Sequence, residues 1–508
     1  MLKPARSATI ADLRQLLFTR VLRLRVVILV TVTLLLLLQL LLPYDSSIRS
    51  FFRFHGNSLN DYIHSNDDWV NVPRKYSVNI EEDVGIIIKT GYGTRERVPE
   101  LLTALEKAGL NADMVVLQDY PVNQDEQYKL PNGVNVPAVD IIGWMLEKNL
   151  VPNVDKQGRI TKYKNLVRAI EAQKSKSAAT LGKQFGWELD AMKVDGPLEQ
   201  ASVRHTCLTL LTQLKFISGF QYTYHALPKK NWYLMLDDDS YVILPSILLI
   251  LSQLDPRKPH YIGNAVGAYS GRFAHGGSSF ILSGAVLPLL FDKNPKVVAA
   301  AHKEAMTTTW GDGLMATTLM KIGVYLDESY TLWFNGEPPR DTRMWADRFC
   351  LPLVSLHGLR SPGAMAEVGS LFADIMTPIL WHELGAMLGA PYPEDFVEHA
   401  GSANHSYVGR LDEHSVTLEG VKDWQHCLEE CITRREACLA WTWELDQKLC
   451  HVAPWYVVGG PQENAVSGVN GELVMFLERK CDNLMSTKRR ADILCSSKDG
   501  SNSCRPRP

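Results

Sequence analysis

Short apolar runs of strand length alternate with amphipathic runs of helix length from residue 84 onward. In DVGIIIKTG the run Val84 to Ile88 is continuous, rich in β-branched residues and closed by Gly91, which predicts a strand buried on both faces. Pro99 opens PELLTALEKAG, a predicted helix with Leu101, Leu102 and Leu105 on one side and Gly109 as its stop. ADMVVLQD follows as a second apolar strand, so strand, helix and strand make a βαβ unit and the sheet is parallel. The pattern returns at WYLMLDDDSYV, where Trp232 to Leu236 form a buried strand that ends in three carboxylates. A helix over Pro245 to Leu254, a short strand in HYIGNAVG, a strand running into a helix in SFILSGAVLPLLF and a helix in DGLMATTLMKIG complete an α/β reading.

Two stretches break this alternation. VVILVTVTLLLLLQLLL, residues 26–42, carries no charge and stops at Pro43. A bilayer span needs about 17–25 apolar residues. Six basic residues between Lys3 and Arg25 face a single Asp12 ahead of it, which predicts a signal-anchor with a cytosolic tail over 1–25. A cleaved signal peptide is the rival, but its apolar core would be shorter and would end in small residues, where this chain has Leu, Pro and Tyr. Residues 43–80 mix charged, polar and aromatic residues without a sustained period and are expected to be a stem. From Gly401 the chain is rich in cysteine and shows no βα alternation. The basic, serine-rich end over 482–508 is expected to be a flexible tail.

Composition adds little to the fold but excludes one partner. Of 508 residues 46% are hydrophobic and 21% charged, with a net charge of -3, so no field gathers nucleic acid. Seven of the nine cysteines follow residue 426, which points to a disulfide-stapled module in an oxidising compartment.

Asp237, Asp238 and Asp239 carry the strongest chemical signal. Side chains alternate along a strand, so Asp237 and Asp239 project together at the carboxyl end of a strand, where open α/β sheets bind ligands. Two carboxylates held side by side repel unless a cation joins them, and in combination with a diphosphate the donor set suits Mn²⁺ or Mg²⁺. A solvated acidic loop is the bland reading. The apolar strand before the trio and Tyr241-Val242 after it argue against exposure of the whole segment.

Five blocks in order, DVGIIIKTG, WYLMLDDDSYV, YIGNAVGAYSGRFAHGGSSFILS, GDGLMATTLMKIGV and LVSLHG, resemble glycosyltransferase family 31, which contains fringe and the core-1 β-1,3-galactosyltransferases. The resemblance covers roughly residues 80–400. It implies a GT-A fold, Rossmann-like with a mostly parallel sheet, over 81–400. It also implies a UDP-sugar donor, Mn²⁺ and inversion at the anomeric carbon. Asp237 to Asp239 fall on the family's DxD position, with Asp239 the expected direct ligand, and His357 falls on a metal-binding histidine. Thr90, Arg95, Asp237 and Asp238 fall where the family contacts the nucleotide. Gly276 and Gly277 fall in a glycine-rich loop near donor and acceptor, where the family has GGAG and this chain GGSS. Asp312 aligns with the second acid of a DD or ED pair, the general base, and Gly311 replaces the first. Read alone, Asp312 precedes a helix and would serve as an N-cap, and His357 would be a core or surface histidine.

The cluster Cys427-x3-Cys431-x6-Cys438-x11-Cys450, with Trp441 and Trp443 between, resembles a PAN/apple module over 403–481, as appended to fungal members of the same transferase family, completed through Cys481. A zinc site competes with disulfides, and spacing alone does not give the connectivity. Asn404-His405-Ser406 is a candidate N-glycan acceptor. WHELGAM lacks the second histidine of a metalloprotease helix, and GYGTRE lacks the Gly-Lys-Ser/Thr of a phosphate loop. The expected function is transfer of galactose or N-acetylglucosamine to a glycan or glycoprotein hydroxyl at a Golgi or endoplasmic reticulum membrane. A non-catalytic, lectin-like glycan binder and a metal-dependent hydrolase are the alternatives.

Overall fold

The computed structural model describes residues 23, 25–34, 37, 41–63, 66–122, 128–151, 155, 158–174, 211, 213–399, 401–434, 437–487 and 503–504. Seven strands form the central sheet: β1 (Val84–Lys89), β2 (Asp113–Gln118), β3 (Ala138–Asp140), β4 (Trp232–Asp237), β5 (Tyr261–Gly263), β6 (Phe280–Ser283) and β7 (Leu326–Asp327). Their order is β7-β5-β6-β4-β1-β2-β3. The pairs among β4, β1, β2 and β3 are parallel, as is β7 with β5, and β6 alone runs against both its neighbours.

Strand alternation divides the interior in two. Ile86, Ile88, Leu234 and Leu236 enter one apolar cluster, whereas Ile87, Val115, Leu117, Tyr233 and Met235 enter the other. Both faces are therefore buried, as the unbroken apolar strands require. Helix α1 (Ser47–Ile63) precedes the sheet, and α2 (Val98–Lys107), α3 (Lys215–Ala226), α4 (Leu244–Gln253) and α5 (Gly311–Lys321) cover it. α2 and α4 fill the first cluster, α3 and α5 the second. Pro99 stands in the first turn of α2, and Gly109 follows the helix at φ 79°, the left-handed stop expected of it.

The segment read as a featureless stem is ordered in part. α1 lies on the sheet edge, with Arg53 stacked 3.9 Å over the Tyr325 ring and Asn57 donating to Glu328 at 3.2 Å. Phe51 and Phe54 flank Tyr269 at 5.6 and 6.4 Å between ring centroids. Ahead of it, residues 25–34 are helical, and Val26 to Val30 are exposed. Among the described residues no helix is long and apolar enough to cross a membrane. The expected span over 26–42 and the tail over 482–508 lie partly outside the described residues.

After residue 401 the chain builds an antiparallel sheet from β8 (Ser402–Ser406), β9 (Val416–Leu418), β10 (Ala440–Glu444), β11 (Leu449–Ala453) and β12 (Gly460–Val469), in the order β8-β12-β10-β11-β9. Helix α6 (Trp424–Thr433) packs on it, and Cys427–Cys450 and Cys431–Cys438 are bonded around Trp441 and Trp443. The cysteines are thus disulfides and not zinc ligands. Cys481, read as completing this module, instead bonds Cys350 of the preceding α/β part. Trp455 and Tyr456 pair with Trp345 and Met344, and Leu439, Ala440, Ala453 and Trp455 share the apolar cluster that contains β1 and β4. The two parts form one continuous core. Asn404 is exposed at a bulge with φ 53°, and its side-chain oxygen accepts the Asn464 N–H at 3.3 Å.

Candidate active site

Parallel register sets the first contact of the site. Lys89 and Asp237 are cross-strand partners at the ends of β1 and β4, so both point to the α3 face. Lys89 Nζ lies 2.6 Å from Asp237 Oδ1 and 3.7 Å from the centre of the Phe216 ring on α3. This lysine is 3% exposed, and its charge offsets part of the repulsion among the acids.

Asp238 points to the opposite face. Its Oδ2 accepts hydroxyl hydrogens from Thr90, at 2.6 Å, and from Thr94, while Arg97 Nη1 lies 3.4 Å from Oδ1. Burial, and then the charge of Asp239, push the Asp238 carboxyl above its ordinary range, against the pull of Arg97 and the threonines. Asp238 thus clamps the turn after β1.

A two-stranded ribbon supplies the next residue. Tyr241-Val242 pairs with Leu356-Ser355, so His357 arrives beside Asp239, with Nε2 3.4 Å from Oδ1. Its Nδ1 faces the Gly336 carbonyl at 3.1 Å. A carbonyl can only accept, so Nδ1 donates and Nε2 turns to the acids. Burial works against charge on both groups. Nevertheless their mutual hydrogen bond and attraction hold Asp239 below the usual carboxylate range and raise His357 to about 8. One ligand atom each from Asp237, Asp239 and His357 lies within 4.8 Å of the others. Two carboxylate oxygens and an imidazole nitrogen, oriented by a backbone carbonyl behind the ring, fit a divalent ion such as Mn²⁺.

The glycine loop closes the other side. Ser240 Oγ donates to the Gly277 carbonyl at 2.6 Å and Ser355 Oγ to the Ser278 carbonyl at 2.7 Å, which ties the loop to the acidic turn and to the ribbon. A Cβ on Gly277 would stand 2.5 Å from His357 Nε2, so this glycine makes room for the histidine. Gly277→Ala is expected to displace the ring and weaken Mn²⁺ affinity by about 10–100-fold, the usual scale for disturbing a ligand's support. A Mn²⁺ titration checks this, and unchanged affinity would count against His357 as a ligand.

Ser279 stands at the last position of the GGSS block, where the resembled family has glycine. It is fully buried with φ 65° and ψ 159°, a region nearly restricted to glycine, and its Oγ has no hydrogen-bond partner among the described residues. Ser279→Gly relieves both costs and is expected to stabilise the protein by about 1–2 kcal/mol. The check is a higher denaturant midpoint at unchanged slope.

Asp312 is 8% exposed and lies in the first turn of α5, because the helix begins at Gly311 with Trp310 as its N-cap. It is therefore not the N-cap. Instead Oδ2 accepts the Gly276 N–H and Oδ1 the Gly313 N–H, both at 2.9 Å, which fixes the carboxylate beside the glycine loop. The missing acid at Gly311 has a steric cause. A Cβ there would lie 2.6 Å from Phe216 and 2.7 Å from the Gln213 Cα.

A cleft of about 630 Å³ joins these groups, with Thr90, Asp237, Asp238, Asp239, Gly276, Gly277, Asp312 and His357 in one lining. Arg95 is not in that lining, since its guanidinium stacks 3.9 Å over Tyr92 and donates to the Tyr92 carbonyl. Sequence reasoning missed Lys89, Lys215 and His275, which do line it. Lys215, 2% exposed, bonds Asp119 at 2.7 Å. Burial, and then His357, keep His275 below its ordinary pKa.

Residues 188–317 match the Fringe-like family model. The Fringe-like stretch holds Asp237 to Asp239, the Gly276-Gly277 loop and Asp312, whereas Thr90 and His357 lie outside it. It supports a glycosyltransferase. Among solved structures, the glycosyltransferase GlyE of Streptococcus pneumoniae TIGR4 is similar at 12% identity, over 64% of this chain and 68% of that one. Its TM-score of 0.28 is too low to carry an argument about fold or chemistry.

Proposed function

We propose that the chain is an inverting, divalent-cation-dependent glycosyltransferase that moves a hexose, galactose or N-acetylglucosamine, from a UDP-sugar to a hydroxyl of a glycan or glycoprotein in a β-1,3 linkage. The observation that carries this reading is one cleft lined both by the clustered Asp237, Asp239 and His357 and by Asp312. A bound Mn²⁺ or Mg²⁺ would supply charge neutralisation for the departing diphosphate.

The chain's own groups do the rest. Asp312, oriented by the Gly276 N–H, takes the proton of the acceptor hydroxyl. The hydroxyl oxygen bonds to the anomeric carbon as the bond from that carbon to the UDP oxygen breaks, so attack comes from the opposite face and configuration inverts. Lys89 and Arg97 hold positive charge near the acids and diphosphate end of the cleft. The disulfides and the exposed apolar residues near the N-terminus support a single-pass type II protein of the Golgi or endoplasmic reticulum, with the cleft in the lumen. The C-terminal module is proposed to be PAN/apple-like.

The experiment is a panel of UDP-sugars incubated with the detergent-purified full chain. Mn²⁺-dependent release of UDP, faster with a glycan acceptor, is expected. UDP and free hexose formed at a rate the acceptor does not change, or UMP and hexose 1-phosphate, would replace transfer by hydrolysis.

A further inference from the structure

We propose that His275 reads the transferred sugar, donating an Nε2–H hydrogen bond to a hydroxyl or acetamido oxygen of the hexose. This rests on the glycosyltransferase reading and names a specificity residue within it.

The direction of that hydrogen bond follows from the network behind the ring. Asn264 Nδ2 donates to Ser278 Oγ at 3.0 Å, and Ser278 Oγ lies 2.7 Å from His275 Nδ1. The hydroxyl has one hydrogen, and His275 Nδ1 is its remaining partner among the described residues. The serine therefore donates to Nδ1, and in the neutral ring the hydrogen sits on Nε2. The hydrogen bond of the His275 ring among the described residues is the one through Nδ1, and the residue lines the cleft. Nε2–H is thus left as a donor at the cleft wall.

Its place between the two chemical centres identifies the ligand. The His275 ring meets the His357 ring edge-on at 5.4 Å, next to the cation ligands. The following residue, Gly276, gives its N–H to Asp312 at 2.9 Å. A sugar whose diphosphate lies at the ligand set and whose anomeric carbon is attacked beside Asp312 must pass over residues 275–277. Gly276 and Gly277 have no side chains and no space for them, since a Cβ would stand 2.9 Å from Phe216 and 2.5 Å from His357. His275 is the side chain in that stretch able to distinguish one hydroxyl pattern from another. Such discrimination is effective because the wrong sugar leaves a site donor unpaired.

The test uses the full chain with UDP-galactose, UDP-N-acetylglucosamine, UDP-glucose and UDP-N-acetylgalactosamine, in wild type, His275→Leu and His275→Gln. The preference of kcat/KM for the best donor over the next should fall about tenfold in the leucine variant, the scale of one net hydrogen bond. Affinity for UDP, which lacks the sugar, should be unchanged, and glutamine, which keeps an N–H donor, should restore part of the preference. A leucine variant with wild-type preference overturns the proposal. So does one that weakens all four donors and UDP alike, which indicates a structural role. A wild-type chain that turns over none of the donors removes the glycosyltransferase reading itself, a result distinct from either.

Discussion

Asp312→Asn is expected to lower sugar transfer by about 10²–10⁴-fold, the span of general-base catalysis, while UDP-sugar binding stays close to that of the wild type. The carboxylate is fixed by two backbone N–H groups at 2.9 Å and lines the same cleft as Asp237, Asp239 and His357. Asparagine keeps the shape and one oxygen acceptor but cannot take a proton at neutral pH. Its amide also meets one backbone N–H donor to donor, so a few degrees of Tm are expected to be lost with it. The decisive comparison is kcat against donor affinity. Near-normal turnover with intact binding removes Asp312 from the role of base, and loss of both together makes it a structural residue.

Deleting everything from residue 403 is expected to abolish folding of the α/β part. The C-terminal sheet reads as an appended module in sequence, yet it completes the central core. Its removal breaks the Cys350–Cys481 disulfide, the pairing of Met344-Trp345 with Tyr456-Trp455 and the ion pair of Arg343 with Asp412. It also uncovers Trp345, whose ring lies tilted 4.6 Å from that of Trp455, and Phe349, 6.2 Å from Tyr456. A native disulfide contributes about 2–5 kcal/mol and each buried large apolar side chain about 1.5–3 kcal/mol. Together these fall in the ~5–15 kcal/mol range by which domains are stable. Arg343 further links Asp412 to Glu337, whose backbone neighbour Gly336 orients His357, so the module braces the ligand set as well. The readout is soluble yield and a cooperative thermal transition. A soluble deletion variant with full Mn²⁺-dependent UDP release contradicts this account of the interface.

The central strands were legible because a strand buried on both faces must be apolar at every position, and Val84 to Ile88 and Trp232 to Leu236 have no alternative use. The acidic trio was legible because polar residues end such a strand abruptly. α1 was hidden because its described contacts include Arg53 on Tyr325 and aromatic edges, which leave no sustained period in the sequence. Lys89 becomes a site residue only through the register that sets it beside Asp237, and register between distant strands is not written locally. His275 carries meaning only once Asn264 and Ser278 are known to lie behind it. Cys481 was legible as a disulfide cysteine but its partner was not, because spacing does not encode which cysteines meet.

In the proposed function Asp237, Asp239 and His357 hold a divalent ion on which the donor's diphosphate depends. Calorimetric titration of UDP into the full chain, with Mn²⁺ and then with EDTA, tests it directly. Binding in Mn²⁺ that disappears in EDTA, and that Asp239→Asn also removes, is the predicted result. UDP binding of equal strength in both buffers, or unaltered by Asp239→Asn, contradicts it.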